Sequence, residues 1–193
     1  MTPARLDLTI IQGATLRTVL RIMQPRMVYR PITAIAPSAP VRLTVDHGLP
    51  GDWPVWVRGV RGLQALNAEP PTRRPHRAEV IDASTLEINR LSATGQAATG
   101  GELVYQPPVD LAGASARMQV RDATGALLLD LSTANGGIAV TGPGTLTLQR
   151  SAAETAALTW ATGRYDLEVT YADGTVHRYF EGQVTVSPEV THD

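Results

Sequence analysis

Few side chains in this sequence stand where chemistry would need them. Asp46-His47 sets an imidazole beside a carboxylate, the makings of a base and its orienting partner. Neighbours at a strand end face opposite sides, so the two cannot pair through their side chains, and the segment reads as a turn. His76, His177 and His192 are scattered, without the spacing of a zinc-binding helix. There is no cysteine, which excludes a disulfide framework and a thiolate metal site. Asp166 and Glu168 share one face of a strand, within reach of each other as in a glycosidase pair. Arg164 shares that face while Tyr165, Leu167 and Val169 fill the other, the ordinary pattern of a strand with one solvated side. Gly136-Gly137 and Gly142-Pro143-Gly144 lack the lysine and following helix of a phosphate loop, and read as turns. These residues predict no catalytic centre, no metal and no cofactor.

Candidates for binding are better defined. Arg73-Arg74-Pro75-His76-Arg77 is the one basic cluster. A nucleic-acid surface would interleave aromatics with the arginines, and none are near. The cluster reads first as a solvated loop, second as a set of arginine anchors for an acidic neighbouring subunit, and last as a nucleic-acid contact. Trp53 and Trp56 flank a proline in a segment expected near a loop rim. They suit an interface anchor or a sugar-stacking platform, and equally the filling of a core. The possible interface is thus Trp53, Trp56, Arg73, Arg74 and Arg77.

The elements that must position these groups are strands. At 193 residues the chain is long enough for one large or two small domains. The core must be largely aliphatic, since Phe180 is the single phenylalanine. Residues 1–12 lack the basic start and long apolar stretch of a signal peptide, and no run approaches a membrane span, so a soluble, unexported chain is expected. All 17 basic residues are arginine. Residues 1–108 carry 12 Arg against 8 acids, and residues 109–193 carry 5 against 10. Such asymmetry can orient head-to-tail packing between copies, and equally arises by chance segregation.

From Val109 to Thr191 short strands follow one another with a turn between each, at the spacing of a sandwich or barrel. Strands are expected at 117–121, 126–131, 138–141, 145–149, 165–171 and 176–186, with a two-residue hairpin at Asp173-Gly174. Ser151-Ala152-Ala153-Glu154 is a capping box that opens a brief helix, with Leu158 and Trp160 closing one end of the core. At the start of the chain, 6–11 and 15–23 read as strands, with Leu16, Thr18, Leu20 and Ile22 on one face. Beyond Pro25 and Pro31 the pattern changes to strands at 32–35, 41–45, 55–60, 78–81, 85–88 and 102–105. Leu63 to Asn67 forms one helical turn, and three prolines keep residues 68–76 irregular.

Two resemblances follow from particular segments. Asp110-Leu111-Ala112-Gly113 through Arg121, Leu129-Asp130-Leu131-Ser132, Gly163-Arg164-Tyr165-Asp166-Leu167-Glu168 and Gly182 to Thr191 resemble the immunoglobulin-like N-terminal domain of phage baseplate upper proteins. In that family a Gln-Gly turn like Gln12-Gly13 leads almost directly into the Asp-Leu-x-Gly segment. About 80 residues intervene here, which implies an inserted domain. Within the insert, Val45-Asp46-His47-Gly48-Leu49, Val57-Arg58-Gly59-Val60-Arg61-Gly62-Leu63 and Thr85-Leu86-Glu87-Ile88 are similar to the small β-barrel of the first catalytic cysteine half-domain of ubiquitin-activating enzymes. Without cysteine, none of that chemistry carries over.

The expectation is an all-β protein. An immunoglobulin-like sandwich (1–30 and 109–193) is interrupted by a small β-barrel (31–108). The resemblances imply a structural component of a tailed-phage virion, in tail, neck or baseplate. It would be made in the host cytoplasm and present in several symmetric copies, docked on other virion proteins. A receptor- or glycan-binding module on Trp53, Trp56 and the 73–77 loop is the first alternative, and an assembly factor absent from the mature particle is the second.

Overall fold

The computed structural model describes residues 2–190. Val190 is its last described residue, so Thr191 and His192 lie outside it. In chain order the strands are β1 (Ala4–Arg5), β2 (Leu8–Ile11), β3 (Leu16–Arg21), β4 (Val28–Pro31), β5 (Ala34–Ala36), β6 (Val41–Thr44), β7 (Trp53–Arg58), β8 (His76–Asp82), β9 (Thr85–Ile88) and β10 (Glu102–Tyr105). They continue with β11 (Ser115–Arg121), β12 (Leu127–Ser132), β13 (Ile138–Gly142), β14 (Thr145–Arg150), β15 (Thr162–Thr170) and β16 (Val176–Ser187). One short helix, α1 (Ala152–Ala156), lies between β14 and β15, and a single 3-10 turn (Gln64–Leu66) follows β7. The protein is all-β. Its chain divides into two compact units, Met1–Ile22 with Pro108–Asp193, and Met23–Pro107.

The first unit is a sandwich. One sheet runs β1-β16-β15-β11-β12, with β2 continuing β1 along the same edge of β16; the other runs β13-β14-β3. β1 and β2 lie parallel to β16, and the remaining pairs are antiparallel. This is immunoglobulin-like topology, with the second unit occupying the connection between β3 and β11. Alternation along β11 and β15 builds the core, burying Met118, Val120, Leu167 and Val169, while β14 is buried throughout Thr145 to Leu148.

Two local features match the sequence closely. Ser151 caps α1: its Oγ accepts the Glu154 N–H at 3.3 Å, and Glu154 Oε2 accepts the Ser151 N–H at 2.8 Å. Leu158 and Trp160 pack on the core. The Asp173-Gly174 turn differs from the two-residue expectation. Tyr171 N–H donates to Thr175 O at 2.8 Å, so the loop has three residues and Gly174 takes its left-handed position at φ 83°. A type I turn followed by a left-handed glycine is the usual form of a three-residue hairpin loop.

The second unit is a seven-stranded sheet in the order β4-β10-β7-β8-β9-β6-β5. Its two end strands are consecutive in the chain. Between them Ile32 N–H donates to Gly101 O at 3.0 Å and Thr33 N–H to Thr44 O at 2.9 Å. One nearly continuous segment, 28–36, therefore pairs with both ends of the sheet and closes it into a barrel. Val41, Leu43, Val55, Val57, Leu86 and Leu103 fill the interior. The unit begins at Met23 rather than at residue 31, because β4 pairs along its length with β10. The break expected at Pro25 and Pro31 conceals β4, which begins after the first of these prolines and ends on the second. Pro31 is tolerated as the last residue of that strand.

Candidate functional site

The two tryptophans of the expected interface are interior. β7 carries Trp53, 1% exposed, whose Nε1–H donates to Gln106 O at 2.7 Å. Trp56 is 6% exposed and lies opposite Val104 of β10. Val55 and Val57 point into the barrel, so Trp56 stands on its outer side. There it packs with Val104, Ala68 and Met27 in a small second core. A platform for sugars or a partner needs its aromatic faces in solvent, so the interface expected at Trp53 and Trp56 is corrected to two core residues.

What covers Trp56 is the segment that carries the arginines. Ala68 N–H donates to Val57 O at 2.7 Å, and Asn67 bonds both ways with the Val60 backbone. Arg73 N–H donates to Glu69 O at 2.9 Å, and the Trp56 Nε1–H donates to Arg73 O at 2.7 Å. His76 Nε2 lies 2.9 Å from Leu66 O. The proline-rich stretch is irregular as far as Pro75, while His76, expected in it, opens β8; the stretch is held at both ends and in the middle. Arg73, Arg74 and Arg77 are exposed. Arg77 pairs loosely with Asp52 at 3.4 Å. No ion pair among the described residues engages Arg73 or Arg74, so two cations stand on a fixed loop.

The candidate chemical groups have structural work. His47 is 1% exposed: its Nδ1 accepts the Leu49 N–H at 3.0 Å, and its Nε2 lies 2.8 Å from Asp82 O. The Nδ1 bond fixes the neutral tautomer, with the proton on Nε2. Tyr105 donates to the His47 carbonyl. Asp46 is exposed on the other side, as strand alternation requires. His177 sits between the rings of Tyr171 and Tyr179, centroids 5.7 and 5.9 Å away. Asp166 and Glu168 are brought together as expected, and Arg178 of β16 joins both at 2.9 and 3.4 Å. Among the described residues, no three His, Asp or Glu side chains converge on a point that could hold a metal.

Several carboxylates are held below their usual range. The Arg117 guanidinium hydrogen-bonded to Asp130, helped by Gln119, depresses that acid. Asp122 is lowered by the Thr124 hydroxyl and by the Ala126 and Thr124 amides in its turn, and Glu154 by Ser151 in the capping box. Burial, with Asp7 nearby, pushes the Tyr165 phenol up to about 12. That phenol donates to Leu6 O at 2.6 Å and ties β15 to the β1–β2 edge.

Fold and site together define a class: an immunoglobulin-like sandwich carrying a closed barrel in one of its loops. No protein-family model matches the chain. Nor does any curated protein match it in sequence. Among solved structures, CopC from Methylosinus trichosporium OB3b is similar over part of the chain, with 22% identity and a TM-score of 0.27. The similarity covers 45% of this chain and 72% of that one. A likeness at that score carries no argument about this protein.

Proposed function

We propose that the chain is a non-enzymatic structural component of a tailed-phage virion, an accessory or adaptor of tail, neck or baseplate that works by protein–protein docking. The observation that carries the reading is the barrel inserted whole into the β3–β11 connection of the sandwich. Two complete cores on one chain suit an adaptor, which must hold one neighbour with one module and leave the other module for a second contact. The resemblance of the sandwich segments to baseplate upper proteins supplies the setting.

The 73–77 loop is the contact for which the barrel has the clearest means. Arg73 and Arg74 are exposed and without ion-pair partners among the described residues, while their backbone is fixed by Trp56. Holding a loop in its bound shape beforehand lowers the entropy lost on association. Guanidinium forks suit the carboxylates of an acidic neighbour. Copies repeated by the symmetry of the particle would multiply a modest contact.

Mass spectrometry of purified particles tests the proposal. Peptides from this chain at a constant ratio to the major tail proteins support a structural role. Their absence from particles, with abundant protein in the infected cell, would replace it by an assembly factor.

A further inference from the structure

The outer face of the larger sandwich sheet pairs its charges with care, except at one end. Arg117 meets Asp130 at 2.9 Å, and Arg178 meets both Asp166 and Glu168. At the end of the sheet beside the β11–β12 turn the rule fails. Arg121 and Arg164 stand directly opposite each other in the antiparallel register, two like charges on one face. Such a pair is destabilising by itself. Gln183 is opposite Arg164 on the far side, and Arg5 is aligned with Glu181.

These groups line an open cleft of about 800 Å³, together with Asp122. Arg121 is fixed by neutral acceptors, Gly125 O at 2.7 Å and Gln119 Oε1 at 2.9 Å, so its position is set while its charge is not neutralised. Among the described residues the side chains of Arg5 and Arg164 make no ion pair or hydrogen bond, while their backbones are paired in the sheet. Asp122 is occupied: its Oδ1 accepts from Thr124 N–H and Oγ1 and from Ala126 N–H. Glu181 is the other carboxylate of the cleft.

We propose that this cleft binds carboxylate groups presented by an extended acidic segment of a partner protein. Among the lining residues three guanidiniums face two carboxylates, and a third carboxylate, Asp7, accepts the Gln183 N–H at 2.9 Å at the cleft edge, a balance that suits single carboxylates better than a dianion. The guanidinium forks of Arg121 and Arg164 and the Gln183 amide offer planar donors, the match for a carboxylate. The cleft lies on an open sheet surface rather than in a closed cavity, so it admits a chain. It is at the opposite end of β11 from Ser115. The proposal does not depend on the virion setting, and the particle analysis above bears on that setting alone.

Amide NMR spectra of the full chain, titrated with a Gly/Ser peptide carrying two glutamates, test it. Separate titrations use the same peptide with glutamines and inorganic phosphate. The expected result is saturable shifts near Arg5, Arg121, Arg164 and Gln183 with the glutamate peptide, weakening as salt is raised, and none with the glutamine peptide. Arg164→Glu should weaken binding roughly tenfold or more, and the milder Arg164→Gln should weaken it less while keeping the spectrum of a folded chain. Arg17→Gln, on the other sheet, should change nothing. Shifts confined to the 73–77 loop, no shifts at all, or Arg164 variants that bind unchanged would overturn the assignment. Phosphate binding in the cleft as tightly as the peptide would overturn the carboxylate specificity.

Discussion

The indole N–H of Trp56 reaches the carbonyl oxygen of Arg73 at 2.7 Å, so a buried residue on the outer side of the barrel fixes the exposed basic loop above it. The loop contains three prolines between residues 68 and 76 and no regular structure before β8. Its order comes from that bond, from the Ala68, Asn67 and His76 ties, and from the small apolar cluster beneath. Trp56→Phe keeps most of the packing and removes the bond. It should cost about 1–2 kcal/mol in urea unfolding and speed amide exchange at Arg73 and Arg74. Unchanged exchange at those amides would separate the loop from Trp56.

Reversing charge on the loop should act on docking and not on folding. Arg73→Glu with Arg74→Glu changes two exposed side chains, for which stability effects of about 0.5 kcal/mol or less are usual. The predicted outcome is a normal melting curve and reduced incorporation into particles, read by quantitative mass spectrometry. Full incorporation of the double variant would remove these arginines from the interface.

Acid should weaken the sandwich through its depressed carboxylates. Asp130, Asp122, Glu154 and Asp173 are all held below their ordinary values when folded, through the Arg117 contact, the Thr124 turn, the Ser151 cap and the Thr175 amide respectively. A carboxylate lowered in the folded state contributes stability that is present above its unfolded value, near 4. That contribution is lost as pH falls through the folded value. The contribution of these four acids should therefore be complete above about pH 5 and be lost as pH falls below about 4. Asp130→Asn should shallow the acid limb.

At the alkaline end the informative group is Tyr165. Its phenol is raised to about 12 by burial, so it stays protonated in the folded chain while an unfolded tyrosine ionises near 10. The stability it contributes is complete below the unfolded value and is lost as pH rises through the folded one. Tyr165→Phe should remove a late step from the ultraviolet titration. It should also loosen the β1–β2 edge, seen as faster amide exchange at Leu6, at a cost of about 1 kcal/mol.

Much of the fold was legible because strand alternation is a local signal. β9 and β10 fall where the residue pattern puts them, and the Ser151–Glu154 capping box forms as written. The turn at Asp173-Gly174 was legible as a hairpin but not in its length, since the closing Tyr171–Thr175 bond is not encoded in the glycine alone. Barrel closure was implied by resemblance and not by pattern, because it depends on segment 28–36 pairing at both ends. Trp53 and Trp56 show the limit most clearly. They stand one residue before and two residues after Pro54, on opposite faces of one strand, and nothing local says that residues 67–75 return to cover the outer one. The Arg121–Arg164 opposition was equally hidden, since their meeting requires the register between β11 and β15, 43 positions apart in the chain.

The virion role is tested most directly by a cryo-EM map of the intact particle whose genome encodes this chain. The prediction is density for an immunoglobulin-like sandwich and a seven-stranded barrel at one symmetric location on tail, neck or baseplate, with acidic side chains of a neighbour facing Arg73 and Arg74. A particle in which every density is assigned and neither module is found would contradict it.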